Sequence, residues 1–238
     1  MEYHKHSINA QGALAVDGEL GDATFGEHGI YMIGDSRCAI VKFTAKEMKA
    51  EATAPTTKTG LTYTGSDQQL IKTAGTATNG TMMYSLSENG TYTDDITTIT
   101  AKNAGTYTVY YYAKGDDGYT DSAKKSVTVK IAKADQPVKV TSITKTVKKS
   151  KVRKGKCTIT GAIKVTGAKG KVTYKKVKTN NYAYKCTSVN KTSGKITMKK
   201  HNCKSSTKKH TIKVKVSVAE TANYKAYTKT VKVVTKMK

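Results

Sequence analysis

Tryptophan is absent from this 238-residue chain, and phenylalanine and proline occur only twice each. Fifteen tyrosines carry nearly all of the aromatic surface. Four cysteines (Cys38, Cys157, Cys186 and Cys203) are too few for a disulfide scaffold of this length. No apolar run approaches the roughly 20 residues of a membrane-spanning helix, so no membrane partner is expected. The first residues lack a charged segment followed by an apolar one, and a secretory signal is not expected. Phosphate-cradling and dinucleotide glycine patterns are missing, and no serine or cysteine sits on a nucleophile elbow. From Lys139 onward the only acid is Glu220, which leaves no place there for paired-carboxylate chemistry. These gaps point away from enzymes, and neither a cofactor nor a resident metal is expected.

What is present is strand and turn chemistry: threonine, valine, tyrosine and glycine. Hydrophobic residues make up 37% and mean hydropathy is −0.53, which suits small modules with thin cores. The net charge of +25 is unevenly spread. Residues 139–238 hold 29 basic side chains against one acid, and the preceding residues hold 13 against 16. A step this abrupt marks a boundary near residue 138. Proline disrupts a central strand, and the two prolines, Pro55 and Pro137, fall where other signals also divide the chain. The expected organisation is an N-terminal docking or partial β segment (1–53), a sandwich (54–136) and a lysine-rich sandwich (137–238).

Turn signals every 8–12 residues separate alternating runs in both modules. In the middle module the runs are 81–86, 106–112 and 125–131, with Asn89-Gly90 as a hairpin signal after the first. In the basic module they are 156–160, 171–174, 195–198, 211–218 and 230–233. Along 211–218, Ile212, Val214, Val216 and Val218 take one face, while Lys213, Lys215 and Ser217 take the other. Gly12–Val16, Gly29–Ile33 and Cys38–Phe43 read as short strands of the N-terminal segment. The fold class is all-β, with tandem immunoglobulin-like sandwich modules. Its sharpest local sign is Asn103-Ala104-Gly105-Thr106-Tyr107-Thr108-Val109, the form of a tyrosine corner built on Asn103, Gly105 and Tyr107. Val109 stands where antibody domains have cysteine, so an antibody-type core is excluded.

Residues 55–135 resemble the MBG-type Ig-like repeats of Gram-positive surface proteins. The matching strings are Gly60–Gly65, Ala74–Gly80, Ala104–Tyr111 and Val127–Ala134. The basic half resembles a lysine-rich β-repeat through Gly170–Lys175 and Ala222–Ala226. It departs from the pattern at His210-Thr211-Ile212, where a Gly-Thr-Tyr entry is expected. The resemblance implies display, spacing or adhesion and carries no catalytic residue. Two settings follow: a phage virion, favoured by the missing signal, with residues 1–50 docking to capsid or tail proteins, or the C-terminal part of a Gram-positive cell-surface adhesin. A homo-oligomer fits either setting.

Lys148, Lys149, Lys151, Arg153, Lys154 and Lys156 form the densest charge run, and Lys213 and Lys215 share a strand face. Lysine is a hydrated point charge, and arginine, the better base reader, occurs only twice (Arg37 and Arg153). The expected partner is an anionic polysaccharide or cell-wall polymer, with non-specific nucleic-acid binding as the alternative. Cys186, His201, Cys203 and His210 have zinc-ligand chemistry, but their spacing fits no common zinc pattern. Free thiols, or a Cys186–Cys203 disulfide, are the expected states. Asp116, Asp117 and Asp121 lack the offsets of a calcium loop. His4 and His6 read as an exposed chain start. By analogy with crosslinked surface domains, Glu220 is the only acid of the basic half able to assist a Lys–Asn crosslink.

Overall fold

A computed structural model describes residues 48–202 and 206–238, together with four short strands nearer the N-terminus. Those strands form two antiparallel pairs, Ser7–Ile8 with Leu14–Ala15 and Thr24–Gly26 with Gly29–Tyr31. The expected strand at 38–43, the His4/His6 pair and Cys203 lie outside the described residues. The architecture is all-β, made of several small sheets with only short helices. By backbone proximity the chain divides into two units. The first takes the described residues up to Lys58, Gln69–Ile99 and Thr108–Val129; the second takes Thr59–Gln68, Thr100–Tyr107 and Lys130–Lys238.

A three-stranded sheet runs in the order Gly80–Ser85, Gly105–Gly115, Lys125–Ile131, and its Gly80–Ser85, Thr108–Gly115 and Lys125–Val129 parts organise the first unit. Alternation decides its faces: Met82, Tyr84, Val109, Tyr111, Ala113 and Val129 are buried, while Thr81, Lys114 and Thr128 are exposed. The register sets Met82 opposite Ala113 and Tyr84 opposite Tyr111. Short pairs complete the unit, Glu51–Ala52 with Ala77–Thr78 and Thr56–Thr57 with Ile71–Thr73. They bury Ala52, Leu70 and Ile71. Tyr84 is fully buried, and its hydroxyl oxygen accepts the Gly75 N–H at 2.8 Å. A side chain at Gly75 would meet the Thr53 carbonyl oxygen at 2.3 Å, so the two backbones approach this closely only with glycine.

The Asn-Gly signal makes a turn, with Gly90 N–H bonded to Ser87 O, but the returning arm is a single bridge between Thr93 and Tyr84. Asp95 ends that arm by capping a 3-10 turn, Ile96–Thr98, through the Thr97 N–H at 2.8 Å. A strong cap, two residues after the bridge, replaces continued pairing.

The second unit contains the lysine-rich sandwich. One sheet has four strands in the order Lys145–Val147, Tyr227–Met237, Lys209–Val218, Val172–Lys176. The other has three, Cys157–Ile159, Ile196–Met198, Thr187–Val189, with a separate pair Lys139–Ser142 and Ile163–Thr166. Ile212, Val214, Val216, Val231 and Val233 from the first sheet pack with Cys157, Ile159, Ile196 and Met198 from the second. The expected alternation along 211–218 is observed: the four aliphatics are buried, Lys213 and Lys215 are exposed, and Ser217 is half-buried.

The run predicted only as dense charge forms a short helix, Lys149–Lys154. It is anchored by Val152, which is fully buried in the core. A second short helix, Tyr182–Cys186, is capped by the Asn181 side chain, which accepts the Tyr184 N–H at 2.8 Å.

The segment before Pro137 is held on both sides within this unit. Ala132 exchanges backbone hydrogen bonds with Leu61 and Tyr63, and Ala134 does so with Asn223 and Lys225. The buried Gln136 donates to Ala219 O at 3.1 Å and accepts from Lys169 N–H at 3.0 Å. Ion pairs Lys133–Glu220 and Lys225–Asp135 flank it.

Candidate functional site

Two arrangements in the second unit carry candidate chemistry. The first is the outer face of the four-stranded sheet. Antiparallel register sets Lys213 directly opposite Lys232 and Lys209 opposite Lys236. On the other side of the same strand, Lys175 faces Lys215. All six are exposed. Directly opposed side chains start about 5 Å apart, and like charges there are destabilising. From Lys139 to the end the only acid is Glu220, and Glu220 is paired with Lys133. The face is a set of like-charge pairs, and none of its six lysines takes part in an ion pair among the described residues.

Lys148, Lys149, Lys151, Arg153 and Lys154 follow the edge strand Lys145–Val147 of this sheet, on or next to the first short helix, and Lys156 comes two residues after it. A cleft of about 400 Å³ between that helix and the Cys157–Ile159 strand is lined by Lys145, Lys148 and Lys151. Lys213 and Lys215 lie on the sheet's central strand, so the topology carries both predicted lysine groups on one four-stranded sheet and the segment leaving its edge.

The second arrangement is one that sequence spacing did not support. Strand pairing sets Thr187 opposite Met198, and Lys199 N–H donates to Cys186 O at 2.8 Å. The chain then continues two residues to His201. The helix Tyr182–Cys186 lies against the start of Lys209–Val218, where Asn181 Nδ2 donates to Thr211 O at 3.2 Å, and this brings in His210. A Sγ of Cys186 and one ring nitrogen each of His201 and His210 lie within 4.8 Å of one another. Cys186 and His210 are buried and His201 is half-buried.

The two Nε2 atoms stand 3.4 Å apart, with the rings perpendicular. His201 Nδ1 lies 2.7 Å from Lys199 O, and a carbonyl only accepts, so Nδ1 carries the proton. In the neutral ring that leaves the His201 Nε2 lone pair pointing at His210. Burial, and then the charge of His201, hold His210 below the ordinary histidine range, which favours its neutral form.

Tyr182, largely exposed, packs edge-on against His201. A cleft of about 620 Å³ opens beside the cluster, lined by Tyr182, Asn202, Thr207 and His210. Lys176 completes the surroundings. Its ammonium donates to the Tyr184 and Thr187 carbonyls and sits 3.9 Å from the Tyr184 ring centre. Burial draws its pKa down, the nearby Cys186 sulfur draws it up, and Lys199 adds to the fall.

The other candidates are placed apart from these. In the string expected to form a tyrosine corner, Tyr107 Oη donates to Asn103 O at 2.7 Å, four residues back. Asp121 accepts the Gly115 N–H at 2.9 Å, and Asp116 and Asp117 are exposed in the turn. Among the described residues the Cys-His group is the only cluster of metal-ligand side chains, and no helix is long and apolar enough to cross a membrane. Glu220 has an exposed side chain paired with Lys133, unlike the buried acid a Lys–Asn crosslink needs. Cys157 is a buried free thiol in the core.

No protein-family model matches the chain, and no curated protein sequence does. Among solved structures it is similar to ectodomain fragments of cadherins. Protocadherin gammaB7 EC3-6 is 15% identical with a TM-score of 0.37, over 80% of this chain and 51% of that one. Drosophila N-cadherin EC1-4 is 11% identical with a TM-score of 0.36, over 98% and 64%. Human mucin-like protocadherin EC1-2 is 10% identical with a TM-score of 0.37, over 80% and 98%. The chain thus spans about half the length of the first of these.

Proposed function

We propose that this is a non-enzymatic, surface-displayed structural and adhesion protein whose lysine-rich sandwich adheres to an anionic polymer. The observation that carries the reading is the opposed lysine pairs Lys213–Lys232, Lys209–Lys236 and Lys175–Lys215 on one exposed sheet face. Each pair costs folding free energy in the free protein, and a chain of regularly spaced anions relieves that cost on binding. Lysines with Arg153 as the single arginine after residue 138 support attraction to charge density more than reading of a base sequence. The resemblance of residues 55–135 to surface-protein repeats supports display. In the virion setting, residues 1–50 dock to capsid or tail proteins and the sandwich modules (54–136 and 137–238) decorate the particle. The alternative setting is the Gram-positive cell wall.

Retention on purified Gram-positive cell walls, measured against rising salt, tests the adhesion. It should fall steeply as screening shortens to about 3 Å at 1 M salt. It should also fall in a K213T/K215T/K232T variant and on walls stripped of teichoic acid. Retention indifferent to salt and to these lysines sinks the reading. Tighter binding to duplex DNA than to the wall polymer selects nucleic-acid binding instead. Deleting residues 1–47, which spares the Met48 and Ala50 backbone bonds to Thr120, should abolish incorporation into particles while leaving the modules folded, which tests the docking role.

A further inference from the structure

We propose that Cys186, His201 and His210 form a binding site for one zinc ion. The inference is independent of polyanion adhesion and uses none of the residues on the lysine face. One thiolate and two imidazoles are the donor set of a borderline-soft cation. Hard cations such as calcium and magnesium want several oxygens, and the cluster offers none in a carboxylate. A strongly basic module further disfavours any cation not held by strong thiolate and imidazole bonds.

The geometry fits tetrahedral zinc. With Zn–N bonds of about 2.0 Å, two nitrogen ligands stand about 3.3 Å apart along a tetrahedron edge. The His201 and His210 Nε2 atoms are already 3.4 Å apart. The third donor, Cys186 Sγ, lies within 4.8 Å of both rings. The outer contacts are in place as well. The His201 Nδ1–H bond to Lys199 O fixes the tautomer that presents Nε2 as a lone pair, which is the usual support of a metal-bound histidine. The Lys176 ammonium, held by the Tyr184 and Thr187 carbonyls on either side of Cys186 in the chain, adds a fixed positive charge to the surroundings of the cluster. Among the described residues three donors are present, and they leave the fourth position of the tetrahedron for water or a further ligand.

Proton balance is simple. Cys186 gives up its thiol proton to solvent. The proton on His210 Nε2 moves to its Nδ1, so that both imidazoles bind as neutral rings. Each zinc bound therefore releases one proton above the histidine titration range. Nothing is oxidised or reduced. The ion would tie the end of the Tyr182–Cys186 helix to the start of the Lys209–Val218 strand across two separate chain segments.

The test uses the full chain without an affinity tag, kept reduced and stripped of metal. An H4Q/H6Q background removes the other closely spaced histidine pair of the sequence. Cobalt(II) titration should give a thiolate-to-metal charge-transfer band and visible bands of tetrahedral intensity, saturating at one equivalent. Zinc should displace the cobalt and raise the melting temperature. H201Q is the decisive variant, because His201 is half-buried and its replacement leaves the core intact. Zinc affinity should fall at least tenfold in H201Q, and the melting shift should shrink with it. C186S should lose the charge-transfer band, with circular dichroism confirming its fold; if it misfolds, H201Q and the wild-type cobalt spectrum decide alone. A reduced wild-type protein that binds no stoichiometric metal, or binds cobalt without the charge-transfer band, overturns the proposal. So does equal zinc affinity in H201Q and wild type.

Discussion

Asn223 reaches Asn103 across 120 positions of sequence, its Nδ2 donating to the Asn103 Oδ1 at 3.0 Å. Its own Oδ1 accepts the Ala104 N–H at 2.9 Å, and its carbonyl accepts from Ala134. Next to it, Tyr224 packs edge-on against Tyr63 at 5.4 Å between ring centres. One asparagine thus satisfies backbone and side-chain groups on two other segments of the second unit. Asn223→Ala should cost about 1–3 kcal/mol, because the Ala104 donor loses its partner. Asn223→Asp keeps the acceptor and loses only the donor, so it should fall between the two in chemical denaturation. Equal stability of all three proteins would show that water replaces the contact.

The Tyr107 hydroxyl has a separable contribution. Tyr107→Phe removes the hydroxyl that donates to Asn103 O and leaves the ring. A loss of about 1 kcal/mol is expected from a net hydrogen bond of this kind. Urea unfolding measures it, and the slope of the transition should stay unchanged.

Tyr84 links stability to pH. Burial holds its phenol above the ordinary tyrosine value, and the Gly75 N–H bond only partly offsets that. Since the folded pKa is raised, the unfolded chain releases its proton first. The contribution is complete below about pH 10 and is lost as pH rises through and beyond that value. Tyr84→Phe should cost about 1 kcal/mol or more at neutral pH by leaving Gly75 N–H unbonded. The gap between the two proteins should narrow on alkaline titration, followed by thermal unfolding at successive pH values.

Lys213 sets stability against binding. Lys213→Thr removes one member of the Lys213–Lys232 pair and introduces a residue suited to strands. It should stabilise the protein by a few tenths of a kcal/mol at low salt, and the part of the gain that comes from relieved repulsion should vanish at 1 M salt. The same substitution should weaken retention on the anionic polymer. A variant neither more stable nor weaker in binding would remove the basis of the lysine-face argument.

Much of the strand layout was legible because alternation is a local signal. Lys125–Ile131 is observed as read, and Gly105–Gly115 and Lys209–Val218 extend the predicted runs by a few residues. Tyr107 and Asn103 were legible because they lie four residues apart in one recognisable string. The Lys149–Lys154 helix was not, since its only apolar residue, Val152, shows no period of its own. The Asn-Gly hairpin was half legible: the turn forms, but the Asp95 cap two residues beyond Thr93 diverts the chain, and cap geometry is not visible in a strand pattern.

By itself the sequence determined the all-β class, the inward and outward faces of the long strands, and the concentration of positive charge after residue 138. Those follow from side-chain period and composition, which belong to single segments. Only the tertiary structure decided which lysines oppose each other, because register is a property of two strands. It also decided that Cys186, His201 and His210 meet. Their spacing matches no linear zinc pattern, since the ligands arrive from a helix end, a strand extension and the start of another strand. Pairing of Thr187 with Met198 and packing of the helix on Lys209–Val218 bring them together. Proximity made by pairing and packing leaves no periodic trace in the chain.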